Sequence, residues 1–120
     1  MLNYSMLINS TDRVFVESSG FRRQVDRFGF DLLKDIQLAI LKDPGCGELI
    51  EGTGGLRKFR VARAGQGKSG GFRVFYLDLP QKGICHLLWI LAKNEAENIS
   101  PAEKNRIRVL VERLKKEHGK

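Results

Sequence analysis

GTGGLRKFRVARAGQGKSGGFRVFYL, residues Gly52 to Leu77, is the stretch on which the reading of this chain turns. It contains Arg57, Lys58, Arg60, Arg63, Lys68 and Arg73, and neither Asp nor Glu. The formal net charge of the whole chain is +7, so these cations nearly equal the entire excess. Leu56–Arg63 alternates as a strand, with Lys58 and Arg60 on one face and Phe59 and Val61 on the other. Arg57 and Arg63 share the apolar side and are expected at the strand ends, where they can reach water. Phe72–Leu79 predicts a second strand, Arg73, Phe75 and Leu77 alternating with Val74, Tyr76 and Asp78. Ala64–Gly70 is the flexible turn between them. A basic hairpin of this kind is what an electrostatic grip on phosphates requires. The absence of acids favours binding over mere solvation, because a solvated face is normally mixed in sign.

The flanking sequence supplies a scaffold. Downstream, Pro80–Gly83 predicts a hairpin turn, and Ile84–Lys93, ICHLLWILAK, is a nearly continuous apolar run suited to a central strand. Within it His86 reads as a core histidine. Ser100-Pro101-Ala102-Glu103 is a helix start: Ser caps, Pro fits the first helical position, and Glu completes a capping box. Ile107, Leu110, Val111 and Leu114 form the stripe that this helix buries.

Upstream, Arg13–Glu17 predicts a short strand. Ser18 or Ser19 caps a helix whose Phe21, Val25 and Phe28 recur at helical spacing before Gly29 breaks it. Asp31–Lys42 predicts a second helix, apolar along Leu33, Ile36 and Ile40 and ended by Asp43-Pro44-Gly45. A loop follows, with Leu49 and Ile50 as an anchor. The order β-α-α-β-β-β-α predicts an α+β fold: a small twisted antiparallel sheet with two N-terminal helices and one C-terminal helix packed on it. Residues 13–120 read as one domain, and residues 1–12 as a leader or an extra turn of helix.

The composition, 42% hydrophobic and 29% charged, is that of an ordinary globular protein able to bury a core without disulfides or a metal. Cys46 and Cys85 lack companions at metal-ligand spacing and read as free thiols in a reducing compartment. No secretory signal or membrane-spanning run is visible, and the cytoplasm is the expected location. The charge calls for an anionic partner: nucleic acid, an acidic protein or a membrane surface.

GTGGLRKFRVA at 52–62, GKSGGFRVFYL at 67–77 and the apolar strand ending AKNE at 92–95 resemble the RelE/ParE toxin superfamily, and HigB-like bacterial toxins in particular. The resemblance spans roughly Val14 to Leu114. It implies a RelE-like α/β scaffold and the toxin of a two-part toxin–antitoxin system. RelE-like members enter the A site of the 30S ribosomal subunit and cut mRNA there; ParE members share the fold and poison gyrase. The partners implied are a cognate antitoxin protein, mRNA and the ribosome, with no membrane, no cofactor and no metal, and the free toxin is expected to be a monomer.

RNA can be cut by its own 2′-OH, which attacks the adjacent phosphorus. A protein must orient that hydroxyl, move its proton and stabilise the extra negative charge, a task suited to arginine's bidentate donors and to a lysine among cations. By the resemblance, Lys58 and Arg60 match the strand-borne basic pair, Arg73 the arginine of the next strand, and Lys93 the basic residue ending the last strand. Arg73 is the expected stabiliser of the phosphorane-like charge, Lys58 the group for proton transfer with Lys93 second, and Arg60 the holder of the scissile phosphate. Arg57, Arg63 and Lys68 are assigned to flanking RNA, and Tyr76 to stacking on a base or to half-buried packing. One departure stands out: some relatives place a tyrosine or histidine near the C-terminal helix as acid or base, whereas Asn94–Pro101 offers only Glu95 and Glu97 as titratable groups. Three readings stay open: a ribosome-dependent mRNA endoribonuclease, a ParE-type gyrase inhibitor, and an RNA-binding module without chemistry.

Overall fold

The computed structural model of the chain describes residues 13–63, 67–92 and 99–117. Along it run β1 (Val14–Glu17), α1 (Ser19–Phe28), α2 (Phe30–Lys42), β2 (Glu48–Leu49), β3 (Arg57–Arg63), β4 (Gly67–Leu79), β5 (Ile84–Ala92) and α3 (Pro101–Glu117). The expected α+β order is present with one short strand added. Residues 1–12, read as a leader, lie outside the described residues.

The strands form one sheet in the order β1-β5-β4-β3-β2. The β2–β3, β3–β4 and β4–β5 pairs are antiparallel, whereas β1 runs parallel to β5. The sheet is therefore mixed, where an antiparallel one was expected. Alternation along a strand reveals which residues share a face and says nothing about direction, and β1 has no hairpin partner to fix it. The strand β2 was read as loop because its two residues are too few to show a period. There Ile50 is half-buried and Leu49 exposed.

The sheet is covered on both faces. On one, α1 and α2 bring Phe21, Val25, Leu33, Ile36 and Ile40 against Val74, Tyr76, Leu87 and Ile90. On the other, Leu56, Phe75, Leu77 and Leu88 meet Val111 of α3. Full burial of side chains of this size contributes about 1.5–3 kcal/mol each. Of α3's expected stripe only Val111 is fully buried; Ile107, Leu110 and Leu114 are half-buried. The helix rests on the sheet along part of its length.

That contact is prepared by the loop before β3. The Thr53 hydroxyl, fully buried, donates to the Ile50 carbonyl at 2.6 Å and accepts from the Leu56 N–H at 3.1 Å. Next to it Gly54 has φ +84°, and a Cβ there would stand 3.2 Å from Cγ1 of Val111. Glycine supplies both the left-handed backbone and the close approach of the helix.

A bulge interrupts β5. Phe75 pairs with Trp89 and Tyr76 with Leu87, so Leu88 has no partner on β4. The extra residue reverses the alternation: Cys85, Leu87 and Ile90 face α1 and α2, while Leu88 and Leu91 belong to the α3 side. The Leu88 carbonyl accepts from the Ser18 hydroxyl at 2.8 Å. The Ser18 hydroxyl oxygen itself accepts from the Phe21 N–H at 3.0 Å and so caps α1. From the residue before β1, Arg13 reaches across β5 to Asp78 of β4 with two hydrogen bonds of 2.6 and 2.9 Å. Both side chains are largely shielded, at 3% and 9% exposure, so loss of either partner leaves a poorly solvated charge.

The helix start expected at Ser100 is present: its N–H donates to Oε1 of Glu103 at 3.0 Å, and the Glu103 N–H donates to its hydroxyl at 3.1 Å. The hydrogen bond from the Ser100 backbone, followed by that residue's side chain, holds the Glu103 carboxyl below its ordinary value of 4.5. A carboxyl depressed in the folded state stabilises above its unfolded value and loses that contribution as pH falls through the folded one. Urea midpoints should therefore fall faster below pH 4.5 for the native chain than for Glu103→Gln, which keeps the acceptor and does not titrate. Ser18→Ala should cost about 1–2 kcal/mol in the same measurement, through loss of the cap and of the Leu88 carbonyl's donor.

Candidate functional site

Because α3 covers the sheet only in part, an open cleft of about 570 Å³ remains between them. Its floor is apolar: Leu56, Phe75, Trp89 and Leu91 from the sheet side, Ile107 and Leu110 from α3. Two cations enter from the sheet, Lys58 on β3 and Arg73 on β4, and two from α3, Lys104 and Arg106; among the described residues Glu103 is the one acid in the lining.

The pleat explains how the sheet cations come together. Lys58 is paired with Phe75 and Arg60 directly with Arg73, so all four side chains emerge on the α3 face. Lys58 and Arg73 are half-buried, and Arg60, which does not line the cleft, is exposed beside Arg73. Like charges directly opposite on adjacent strands repel. Among the described residues no ion pair engages Lys58, Arg60 or Arg73. The nearest acid in register is Glu48 of β2, opposite Lys58. The acid-free character of Gly52–Leu77 thus holds for the segment, while the folded site gains Glu48 and Glu103 at its margins. The arrangement can hold an anion between β3 and β4 with an apolar surface beside it.

Other assigned residues go elsewhere. Tyr76 is completely buried on the α1–α2 face, so it does not stack on a bound base. Its hydroxyl donates to the Pro44 carbonyl at 2.8 Å and accepts from the Gly47 N–H at 2.9 Å. Burial, and then the Cys46 thiol 3.7 Å away, push the phenol well above its usual value. Gly47 has to be glycine here, since a Cβ would lie 2.8 Å from the Tyr76 ring. Arg57 shares that face, half-buried, and donates to the Gly47 carbonyl at 2.6 Å. It ties the loop to β3 and does not reach the cleft. Arg63 and Lys68 lie on β3 and β4, with side chains outside the described residues. Lys93 lies outside them altogether, as do Glu95 and Glu97.

His86 is buried, as a core histidine should be. Cys85 is buried too, and burial, followed by the nearby Asp78 carboxylate, raises its thiol pKa; Cys46 is exposed. Among the described residues no group of His, Cys, Asp and Glu gathers that could hold a metal ion, and no helix is long and apolar enough to cross a membrane.

The sequence reading missed Lys104, Arg106, Glu103 and Trp89 as parts of the cleft. A signal existed for the first two. Lys104 precedes Ile107 by three residues and Arg106 precedes Leu110 by four, so each extends the helix's apolar stripe by one turn.

Residues 46–120 match the family model described as the RelE toxin of the RelE/RelB toxin–antitoxin system. The matched segment contains β3, β4, β5 and α3, and with them the whole cleft. A structure of an E. coli RelE toxin mutant in the free state superposes with a TM-score of 0.54, at 13% identity, covering 83% of this chain and 97% of that one. At that identity the likeness is one of fold. Tyr76→Phe should lower stability by about 1–3 kcal/mol in urea unfolding, because the Gly47 N–H and Pro44 carbonyl lose their partner. It should leave RNA affinity in a filter-binding assay unchanged; a loss there would return Tyr76 to the binding surface.

Proposed function

The chain belongs to the RelE toxin family, and with it to the toxins of toxin–antitoxin systems; we propose that it acts as a ribosome-dependent endoribonuclease on mRNA. The observation that carries this reading is the group of cations Lys58, Arg60 and Arg73, without ion pairs among the described residues and displayed on one face of β3 and β4 beside an apolar cleft.

The chemistry follows from what those groups can do. The phosphodiester lies between β3 and β4, where its charge relieves the repulsion between Arg60 and Arg73. Arg60, more exposed, holds the phosphate from the rim, and Arg73, half-buried against the apolar floor, donates to the oxygens that gain charge as the 2′-OH attacks. Partial exclusion of water strengthens that interaction in the transition state. Lys58, next to them on β3, takes the proton from the 2′-OH or gives one to the leaving 5′-oxygen, with Lys93 as the second candidate. The products are a cyclic phosphate and a free 5′-OH. The nucleophile belongs to the substrate, and the reaction as written calls on no metal.

Ribosome dependence fits a site that, among the described residues, offers no histidine or tyrosine beside the cations: the translating ribosome presents the mRNA in a fixed geometry, and the protein adds charge. The proposed partners are the mRNA in the A site and an acidic antitoxin that covers the same cations.

Primer extension on a defined mRNA, with and without translating ribosomes, tests the proposal. New 3′ ends within A-site codons are expected only with ribosomes. Arg73→Met should reduce the cleavage rate by about 100-fold or more, as loss of a transition-state donor does, and Lys58→Met should also slow it, neither with a urea midpoint below the native one. Intact mRNA under both conditions, with gyrase supercoiling inhibited instead, would replace this reading by the ParE-type one.

A further inference from the structure

We propose that Trp89 is a stacking platform for one nucleobase of bound single-stranded RNA, so that the cleft holds a base by its face as well as a phosphate by its charge. The proposal rests on the RNA reading above and adds to it a residue that the cation group does not include.

The backbone places this side chain in the cleft. Strict alternation from Cys85 and Leu87 would turn residue 89 under α1 and α2. The bulge at Leu88 moves it to the α3 side, opposite Phe75. Bulges re-aim side chains in this way. The two consecutive residues on that side have different fates: Leu88 is 6% exposed and packs in the core with Val111, while Trp89 is 36% exposed and lines the cleft. Val14, Val16, Phe30, Leu38, Leu49 and Val109 are the other exposed large apolar side chains among the described residues, and none of them lines the cleft.

The neighbours suit the role. The Phe75 ring meets the indole edge-on, with centroids 6.3 Å apart and planes at 80°, and is itself buried. Phe75 thus braces the indole from the sheet side. Lys58 and Arg73 line the same cleft, so a base on Trp89 and the phosphate of its nucleotide or the next can be held together. Stacking of a base on an aromatic ring is tolerant of sequence, because every base presents a π-face. The platform therefore strengthens binding without choosing a codon.

Trp89 is the only tryptophan in the chain, so its fluorescence reports on this site alone. The native protein is titrated at low salt with a short oligouridylate and with an abasic oligomer of equal length, each carrying a terminal dye for anisotropy. The oligouridylate should quench Trp89 in step with binding. The abasic oligomer should bind about tenfold more weakly, without quenching, a factor within the range of base–aromatic stacking. Trp89→Phe should keep most of the affinity. Trp89→Leu should lose about tenfold while keeping the native urea midpoint and the native salt dependence, which a merely structural role for the indole would not produce. Salt-dependent binding of both oligomers with equal affinity and unchanged fluorescence would overturn the platform and leave the phosphate grip standing. Failure of both oligomers to bind would overturn the platform and the RNA reading together.

Discussion

A single hydroxyl joins the two halves of this structure. Ser18 caps α1 through the Phe21 N–H and donates to the carbonyl of Leu88, the residue that the bulge leaves without a partner on β4. A carbonyl left without a donor in that half-buried setting would cost on the order of 1–3 kcal/mol. With Ser18 in place, the bulge is compatible with a well-packed sheet. The aromatic part of the α3 side depends on it, since the bulge decides that Trp89 follows Leu88 onto that face and stands over Phe75. The N-terminal strand and helix, far from the cations, thereby fix the floor of the cleft.

The same hydroxyl shows what could be read in advance. A cap at Ser18 or Ser19 was recognisable because a cap is a local event: a short polar side chain immediately before an apolar helical period. The second bond of Ser18, to a residue seventy positions away, has no local signature. The bulge was hidden for a different reason. ICHLLWILAK is apolar at nearly every position, and a strand covered on both faces carries no alternation to be broken. Where β3 and β4 mix cations with apolar residues the faces could be assigned, and Lys58, Arg60 and Arg73 do share one. Tyr76 shows the limit of that reasoning. Its face was legible from its neighbours Val74 and Asp78, but its complete burial depends on α2, Pro44 and Gly47 closing over it.

Charge and hydrophobicity are set against each other in the cleft. Arg60 and Arg73 face one another across the strands, and Arg73 and Lys58 are half-buried without an ion pair among the described residues. That arrangement opposes folding, and the packed core beneath it must offset the cost. Elsewhere the chain handles a shielded cation differently: Arg13 is given a bidentate carboxylate at Asp78. The contrast separates a cation placed to hold the fold together from cations placed to meet something else, because a sequence that can supply Asp78 could have supplied an acid beside Arg73.

That unrelieved repulsion also says what an inhibitor must do, on the proposed reading. Any polyanion that lays negative charge between β3 and β4 gains the same relief that a phosphodiester does. A protein inhibitor can achieve this with carboxylates and can add apolar side chains over Phe75, Trp89 and Leu91, which a nucleotide covers only in part. It would then compete for the site of cleavage itself and bind more tightly than the substrate, because the apolar floor rewards burial as well as charge. Substrate and inhibitor would differ mainly in their response to salt: a phosphate backbone held by a few cations weakens steeply as ions screen it, whereas an apolar contact does not. A cleft with a cationic rim and an aromatic floor can thus release RNA under conditions in which it still retains a protein.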